Sequence, residues 1–193
     1  MSPAPARTSQ DAIVIAARTI LEADGLPAVT MRAVAQSVGV KGPSLYKRVP
    51  DHAALLRAVS DGVAADLGRT LAGAGETDDP MADLRSVAVA YRAFVHRNPN
   101  AYRLLFADLP PGASSDPVTL AAMGLPIVGA MARLVGERDA LEAARTVVAW
   151  AHGFVAMELA GAFRLGGDLE AAYAYGIDSI LAGISGSETR ASR

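Results

Sequence analysis

The chain has 193 residues, a formal net charge of −2, 51% hydrophobic residues and 20% charged ones. That is ample apolar material for a buried core and argues against bulk disorder. It contains no cysteine, which excludes disulfides and thiolate metal sites, and its low aromatic share, 5%, suits close helix packing better than a β-sandwich.

Residues 1–7 are rich in Pro and Ala and read as disordered, without the apolar stretch of a signal peptide. A first helix starts near Thr8 or Ser9, either of which can cap it, with Asp11 in its first turn. Ile13, Ala16, Ala17, Ile20 and Leu21 recur at helical spacing, and Asp24-Gly25 ends the helix. Thr30 then caps a second helix over 31–37 that buries Met31, Val34 and Ala35. Gly39 is the turn residue, because a positive φ costs glycine little. Gly42-Pro43 opens a third helix, over about Lys41 to Arg48, with proline where its missing N–H loses no bond. Leu45 and Val49 face inward; Lys41, Ser44, Lys47 and Arg48 face outward, with Tyr46 at their edge. Pro50-Asp51 breaks the chain and caps a fourth helix, His52 to Ala72.

Two short helices about a glycine turn form a helix-turn-helix, whose second helix can lie in a DNA major groove. The charge agrees with that geometry. Residues 28–50 carry Arg32, Lys41, Lys47 and Arg48 and no acid, and Lys41 and Lys47 are the only lysines in the protein. Residues 51–193, by contrast, hold 12 arginines against 17 acids. A local basic patch on an acidic chain is an electrostatic footprint for phosphate.

Beyond a polar loop at 73–79, Asp79-Pro80 starts a fifth helix that ends before Pro99 and buries Leu84, Val87, Tyr91, Phe94 and Val95. Asn98-Pro99 caps a sixth helix through Phe106, with Tyr102, Leu105 and Phe106 inward. After the loop 110–116, a seventh helix spans Pro117 to about Val135, and Gly124 with Pro126 suggests a kink in it. Asp139 caps an eighth helix reaching Leu165; Gly166-Gly167-Asp168 restarts the chain in a ninth that ends near Ile184. Residues 186–193 read as a disordered tail. The prediction is an all-α chain of about nine helices, without strand-like alternation. The most membrane-like run, Val147 to Phe163, is interrupted by His152 and Glu158 and reads as a core or interface helix, so no membrane association is expected.

The first four helices resemble the DNA-binding domain of TetR-type (tetracycline-repressor-like) bacterial transcription regulators. The carriers are Ile13, Ala16, Ala17, Gly25, Thr30, Ala33-Val34-Ala35, Val38-Gly39-Val40, Ser44-Leu45-Tyr46, Pro50 and Leu55-Leu56. Trp150-Ala151-His152-Gly153 is similar to the Trp-x-His-Gly sequence of one subgroup, and Asn98 to Phe106 to that subgroup's sixth helix. Departures are Val49, where the family commonly has Phe, Lys41, where Ser is common, and His52, where a phosphate-contacting Lys is frequent. The resemblance implies a homodimer on near-palindromic, double-stranded operator DNA, with recognition helices ~34–36 Å apart. It also implies a cytoplasmic repressor released by a small apolar or amphipathic effector.

The corresponding division is a DNA-binding domain over 8–52 and an effector-binding and dimerisation domain over 53–185. The candidate DNA contacts are Thr30, Lys41, Gly42, Ser44, Tyr46, Lys47, Arg48 and His52. Basic side chains reach phosphates or guanine edges, and hydroxyls and helix N-termini bind phosphate oxygens. The eighth and ninth predicted helices are the dimer candidates, the eighth being apolar nearly all round. Candidate effector-pocket walls are Tyr91, Phe94, Val95, Tyr102, Phe106, Met123, Ile127, Met131, Trp150, Phe154 and Met157, with His152 as a polar anchor. Glu158 in an apolar helix requires a partner, whereas His96 and Arg97 are expected to face solvent. The chain has no HExxH, P-loop or nucleophile elbow, and His52, His96 and His152 lack metal-ligand spacing. The reading is therefore a regulator without metal, cofactor or catalysis. The alternative is a helical small-molecule-binding protein or enzyme whose N-terminal bundle is structural.

Overall fold

The computed structural model describes residues 9–75 and 77–191, so the N-terminal stretch read as disordered lies outside the described residues. Regular structure in the described residues is helical: α1 (Gln10–Asp24), a 3-10 turn (Leu26–Ala28), α2 (Met31–Ser37), α3 (Gly42–Tyr46), α4 (His52–Ala72), α5 (Pro80–Arg97), α6 (Pro99–Leu105), α7 (Pro117–Leu159) and α8 (Leu169–Ala191).

Local chemistry sets most of these ends. The Ser9 hydroxyl accepts from the Ala12 amide (3.1 Å) and the Thr30 hydroxyl from Ala33 (3.1 Å). Carboxylates do the same at α4, α5 and α8: Asp51 for Ala54, Asp79 for Met81 and Asp168 for Glu170. Gly39 turns the chain between α2 and α3 at φ 72°.

The chain packs as two compact units, Met1–Asp66 with Asn98–Ala121 and Leu67–Arg97 with Ala122–Arg193. In the first, Ile13, Ala17, Leu21, Val34, Leu45, Leu55, Val59, Tyr102 and Leu104 are buried. This unit does not follow the 8–52 division, because α6 belongs to it through a polar clip. The Glu22 carboxylate of α1 accepts from the first-turn amides of Asn100 (3.2 Å) and Ala101 (2.8 Å). Arg18, one turn earlier, donates to Asp66 and to Asn98 Oδ1 (2.8 Å). Asn98 therefore makes no side-chain cap on α6, as its sequence position suggested; an acid from another helix takes that place at the positive helix end.

The second unit buries Leu67, Leu71, Leu84, Val87, Val95, Met131, Val155 and Leu181. A Cβ on Gly68 would lie 3.2 Å from Met123 Cα, so glycine admits the close approach of α4 and α7 there. The break inside α7 falls at Gly136 (φ 79°, ψ 159°), between the two predicted helices and not at Gly124 or Pro126. Asp139 consequently sits just inside the second segment and does not cap it.

Other boundaries shift as well. α7 stops at Leu159, short of Leu165, in a Schellman turn: Ala162 N–H donates to Met157 C=O (2.9 Å) and Gly161 N–H to Glu158 C=O (2.9 Å), with Gly161 at φ 63°. α8 continues to Ala191, beyond both Ile184 and the start of the tail read as disordered. At α6 the inward residues are Tyr102 and Leu104; Phe106 lies past the helix end and is 56% exposed.

Candidate nucleic-acid interface

α2, the Gly39 turn and α3 form a rigid platform because each is anchored from beneath. Val34 and Ala35 bury one face of α2, and Leu45 with Val49 seats α3 and the turn after it. Val40 N–H donates to Ala35 C=O (2.9 Å) across the turn. The outer surface carries every predicted basic residue: Lys41, Lys47 and Arg48 are exposed, as are Ser44 and Tyr46. Gly42 is half-buried at the start of α3.

The structure places these residues differently along the backbone from the expected Lys41–Arg48 helix. α3 is one short helix in which Lys41 is the N-cap residue and Lys47 the C-cap residue. Arg48 lies in the turn beyond, closed by Val49 N–H to Leu45 C=O (3.0 Å). The basic groups thus flank the helix at its two ends, with Ser44 and Tyr46 between them. Thr30 has its hydroxyl engaged in capping α2, so its side chain orients the helix end at which a phosphate would be held.

His52, the first residue of α4, is exposed, and its Nε2 lies 2.6 Å from the Val29 carbonyl oxygen. With Nε2–H as donor, the ring ties α4 to the connector in front of α2 and leaves Nδ1 for another partner. Arg32 and Gln36, not among the predicted contacts, share the exposed surface of α2. They stand four apart, so the i, i+4 spacing places them on one face of the helix.

The predicted effector residues are divided between the units. Tyr102 and Phe106 belong to the first, their rings 5.1 Å apart. In the second, Tyr91, Phe94, Val95, Ile127 and Met131 are buried, while Met123, Trp150, His152 and Phe154 are half-buried and Met157 is exposed. Trp150 and Phe154 join Tyr173 in one aromatic cluster, with ring centroids 5.2–5.3 Å apart. Beside it, Glu158 finds the partner its position requires. Arg92 Nε donates to Oε2 (2.9 Å), the other side of the guanidinium bonds Oε1, and Arg92 lies 5.7 Å over the Tyr173 ring. His96, expected to face solvent, has Nε2 2.9 Å from Glu158 Oε2. The hydrogen bonds from Arg92 hold the Glu158 carboxyl below its usual range, against the opposing effect of burial.

Comparison with known proteins agrees with this arrangement. Residues 13–59 match the family described as bacterial regulatory proteins, tetR family, and residues 84–180 match the tetracyclin repressor-like C-terminal domain. The chain is 35% identical over 163 residues to the HTH-type transcriptional regulator Rv0681 of Mycobacterium tuberculosis, covering 81% of this chain and 73% of that protein. Its fold is similar to that of a protein of unknown function from Rhodococcus sp. RHA1, with a TM-score of 0.81, 22% identity and coverage of 94% and 97% of the two chains. It is also similar to the Streptomyces coelicolor TetR family protein ActR, solved in complex with (S)-DNPA, with a TM-score of 0.69, 18% identity and coverage of 95% and 100%. With both halves matched and an overall relative at this identity, the chain belongs to the TetR family of bacterial transcriptional regulators, its helix-turn-helix being the DNA-binding part.

Proposed function

We propose that this protein is a cytoplasmic, homodimeric repressor that binds a near-palindromic operator through α2 and α3 and is released by a small apolar or amphipathic effector. The observation that carries the reading is the exposed, acid-free basic surface of residues 28–50 on a chain that is acidic elsewhere. Lys41, Lys47 and Arg48 supply phosphate or guanine contacts, and Ser44 and Tyr46 stand where hydroxyls reach a phosphate or base edge. Effector binding is assigned to the second unit; that a small molecule is the signal is in keeping with ActR, similar in fold, having been solved in complex with (S)-DNPA. Release then requires an effector that favours the DNA-incompetent arrangement over the bound one.

Dimerisation is assigned to the second segment of α7 and to α8. Leu141, Val148 and Met157 on α7 and Tyr175 on α8 are exposed, and Ala149, Ala156 and Ala160 leave room for a close helix from a second copy. Light scattering at micromolar concentration is expected to give twice the mass of one chain; a stable monomer overturns the assignment. The DNA reading is tested by a mobility shift against the DNA flanking the protein's own gene. A specific shift that weakens steeply with salt is expected, and no specific shift at moderate salt refutes the proposal.

A further inference from the structure

The second unit contains a cavity that none of the predicted effector residues lines. It lies between the end of α4 (Leu71, Ala72), the connector (Gly75, Thr77), Val87 of α5, and Pro126, Gly129, Ala130 and Arg133 of α7, and has a volume of about 520 Å³. That volume is in the range of small-molecule sites.

Two features show that the cavity is built. The first is an ion pair at its polar end between a buried carboxylate and a partly exposed guanidinium. Asp83 is 1% exposed, and its carboxylate accepts from the Thr77 hydroxyl (2.7 Å), the Thr77 amide (3.0 Å) and the Arg133 guanidinium. Those bonds, Arg133 first and Thr77 second, hold Asp83 ionised below its usual range. Arg133 also donates to the Thr77 carbonyl oxygen (2.7 Å). The connector and the arginine are thereby fixed against each other. The second feature is a pair of glycines. A Cβ on Gly75 would lie 3.1 Å from Asp83 Cβ and 3.2 Å from Val87 Cγ2, so any larger residue would have to push these side chains aside for the connector to lie this close to α5. A Cβ on the exposed Gly129 would meet nothing within 4 Å, so the cavity opens to solvent over that part of α7.

The chemistry of the lining selects the ligand. Leu71, Ala72, Val87, Pro126 and Ala130 form apolar walls. At the polar end both functional groups of Thr77 and the carboxylate of Asp83 are engaged, whereas Arg133, with five N–H donors, commits two of them to these partners. The end therefore offers donors and no unengaged carboxylate. We infer that this cavity seats a small molecule with an apolar body and an acceptor oxygen group (a carbonyl, carboxylate or sulfonate) directed at Arg133, and that it disfavours cationic ligands. The inference rests on the reading of the second unit as effector-binding, and supplies the site and ligand class which that reading leaves open.

The test titrates the full-length protein with 1-anilinonaphthalene-8-sulfonate, which has fused apolar rings and a sulfonate. Saturable fluorescence at one probe per chain is expected, displaced by decanoate and not by decyltrimethylammonium. Gly129→Phe fills the open space and is expected to weaken probe binding by about tenfold or more, while Gly129→Ala leaves it within about twofold, in line with the loss of a charge-assisted contact and its packing. Unchanged probe binding in a Gly129→Phe protein that melts like the parent overturns the site. Displacement by decyltrimethylammonium as effective as by decanoate overturns the ligand class. An operator mobility shift run beside the titration separates the two readings: absence of any specific DNA complex refutes the regulator proposal, while the fluorescence titration still decides the cavity.

Discussion

Removing Arg92 should destabilise the protein far more than removing the charge it neutralises. Glu158 has a side chain only 8% exposed, against 20% for Arg92, so the carboxylate depends on its partners and the guanidinium does not to the same degree. In Arg92→Met both bonds from the guanidinium disappear and His96 Nε2 is the contact that Glu158 keeps. Stranding a buried charge in this way costs about 3–5 kcal/mol; the retained His96 contact and the site's partial access to water place the expected loss at about 2–3 kcal/mol. For a chain of this length that corresponds to roughly 5–10 °C in melting temperature. Glu158→Gln leaves Arg92 able to reach water and still over the Tyr173 ring, so a loss of about 1 kcal/mol is expected.

The pH dependence adds a second, independent readout. In the parent the folded-state pKa of Glu158 is depressed from 4.5, so its stabilisation is present above that pH and is lost as the pH falls through the lower folded value. In Arg92→Met burial acts without the guanidinium and favours the neutral acid, so lowering the pH from neutrality toward the carboxylate range relieves the penalty. The melting curves of parent and variant should therefore converge on acidification, at matched protein concentration because the proposed dimerisation would contribute to stability. A variant that melts within about 1 °C of the parent at neutral pH, against the shift expected, refutes the reasoning. So does a gap that widens with acid.

The remaining predictions address other parts of the molecule. Lys47→Ala should lower the slope of log K against log salt by about 0.9 if Lys47 neutralises one phosphate; an unchanged slope removes it from the phosphate contacts. Glu22→Ala should remove the acid that caps α6 and cost about 1 kcal/mol, with faster hydrogen exchange at the Asn100 and Ala101 amides; unchanged exchange there shows that the clip does not hold α6. Gly176→Ala places a Cβ 2.1 Å from Trp150 Cζ2, within a ring that cannot yield by rotating a flexible end. A loss of about 1–3 kcal/mol and a shift in the emission of the single tryptophan should follow, and a parental spectrum with parental stability would show that α8 does not pack on Trp150 there.

What could be read from the sequence was the chemistry that acts over one helical turn. Ser9, Thr30, Asp51 and Asp79 cap helices as expected, and Asp168, read only as a restart of the chain, caps α8 in the same way, because a cap needs only amides two or three residues away. The DNA-binding platform was legible for the same reason: its turn glycine, its two inward residues and its basic side chains lie within about two dozen positions. The end of α7 was missed although Gly161 marks it, because in an Ala- and Gly-rich helix a small residue for packing and a glycine for stopping look alike. Phe106 was placed inward by extending a helical period past Leu105, where the helix and its period end together.

The cavity proposed above left no trace in the sequence for a different reason. A search for large apolar and aromatic residues finds what fills space, and Tyr91, Phe94, Ile127 and Met131 are indeed core. A cavity is made where side chains are small or missing, as at Ala72, Gly75, Gly129 and Ala130, and such residues carry no hydrophobic signal. Its polar end joins Asp83 to Arg133, 50 positions apart, and Glu158 meets Arg92 across 66; in the sequence each is one charge among many. Binding DNA requires a charge surplus that one continuous segment can supply. Holding a small molecule requires a charge balance and an empty volume, and both come into existence only when distant helices meet.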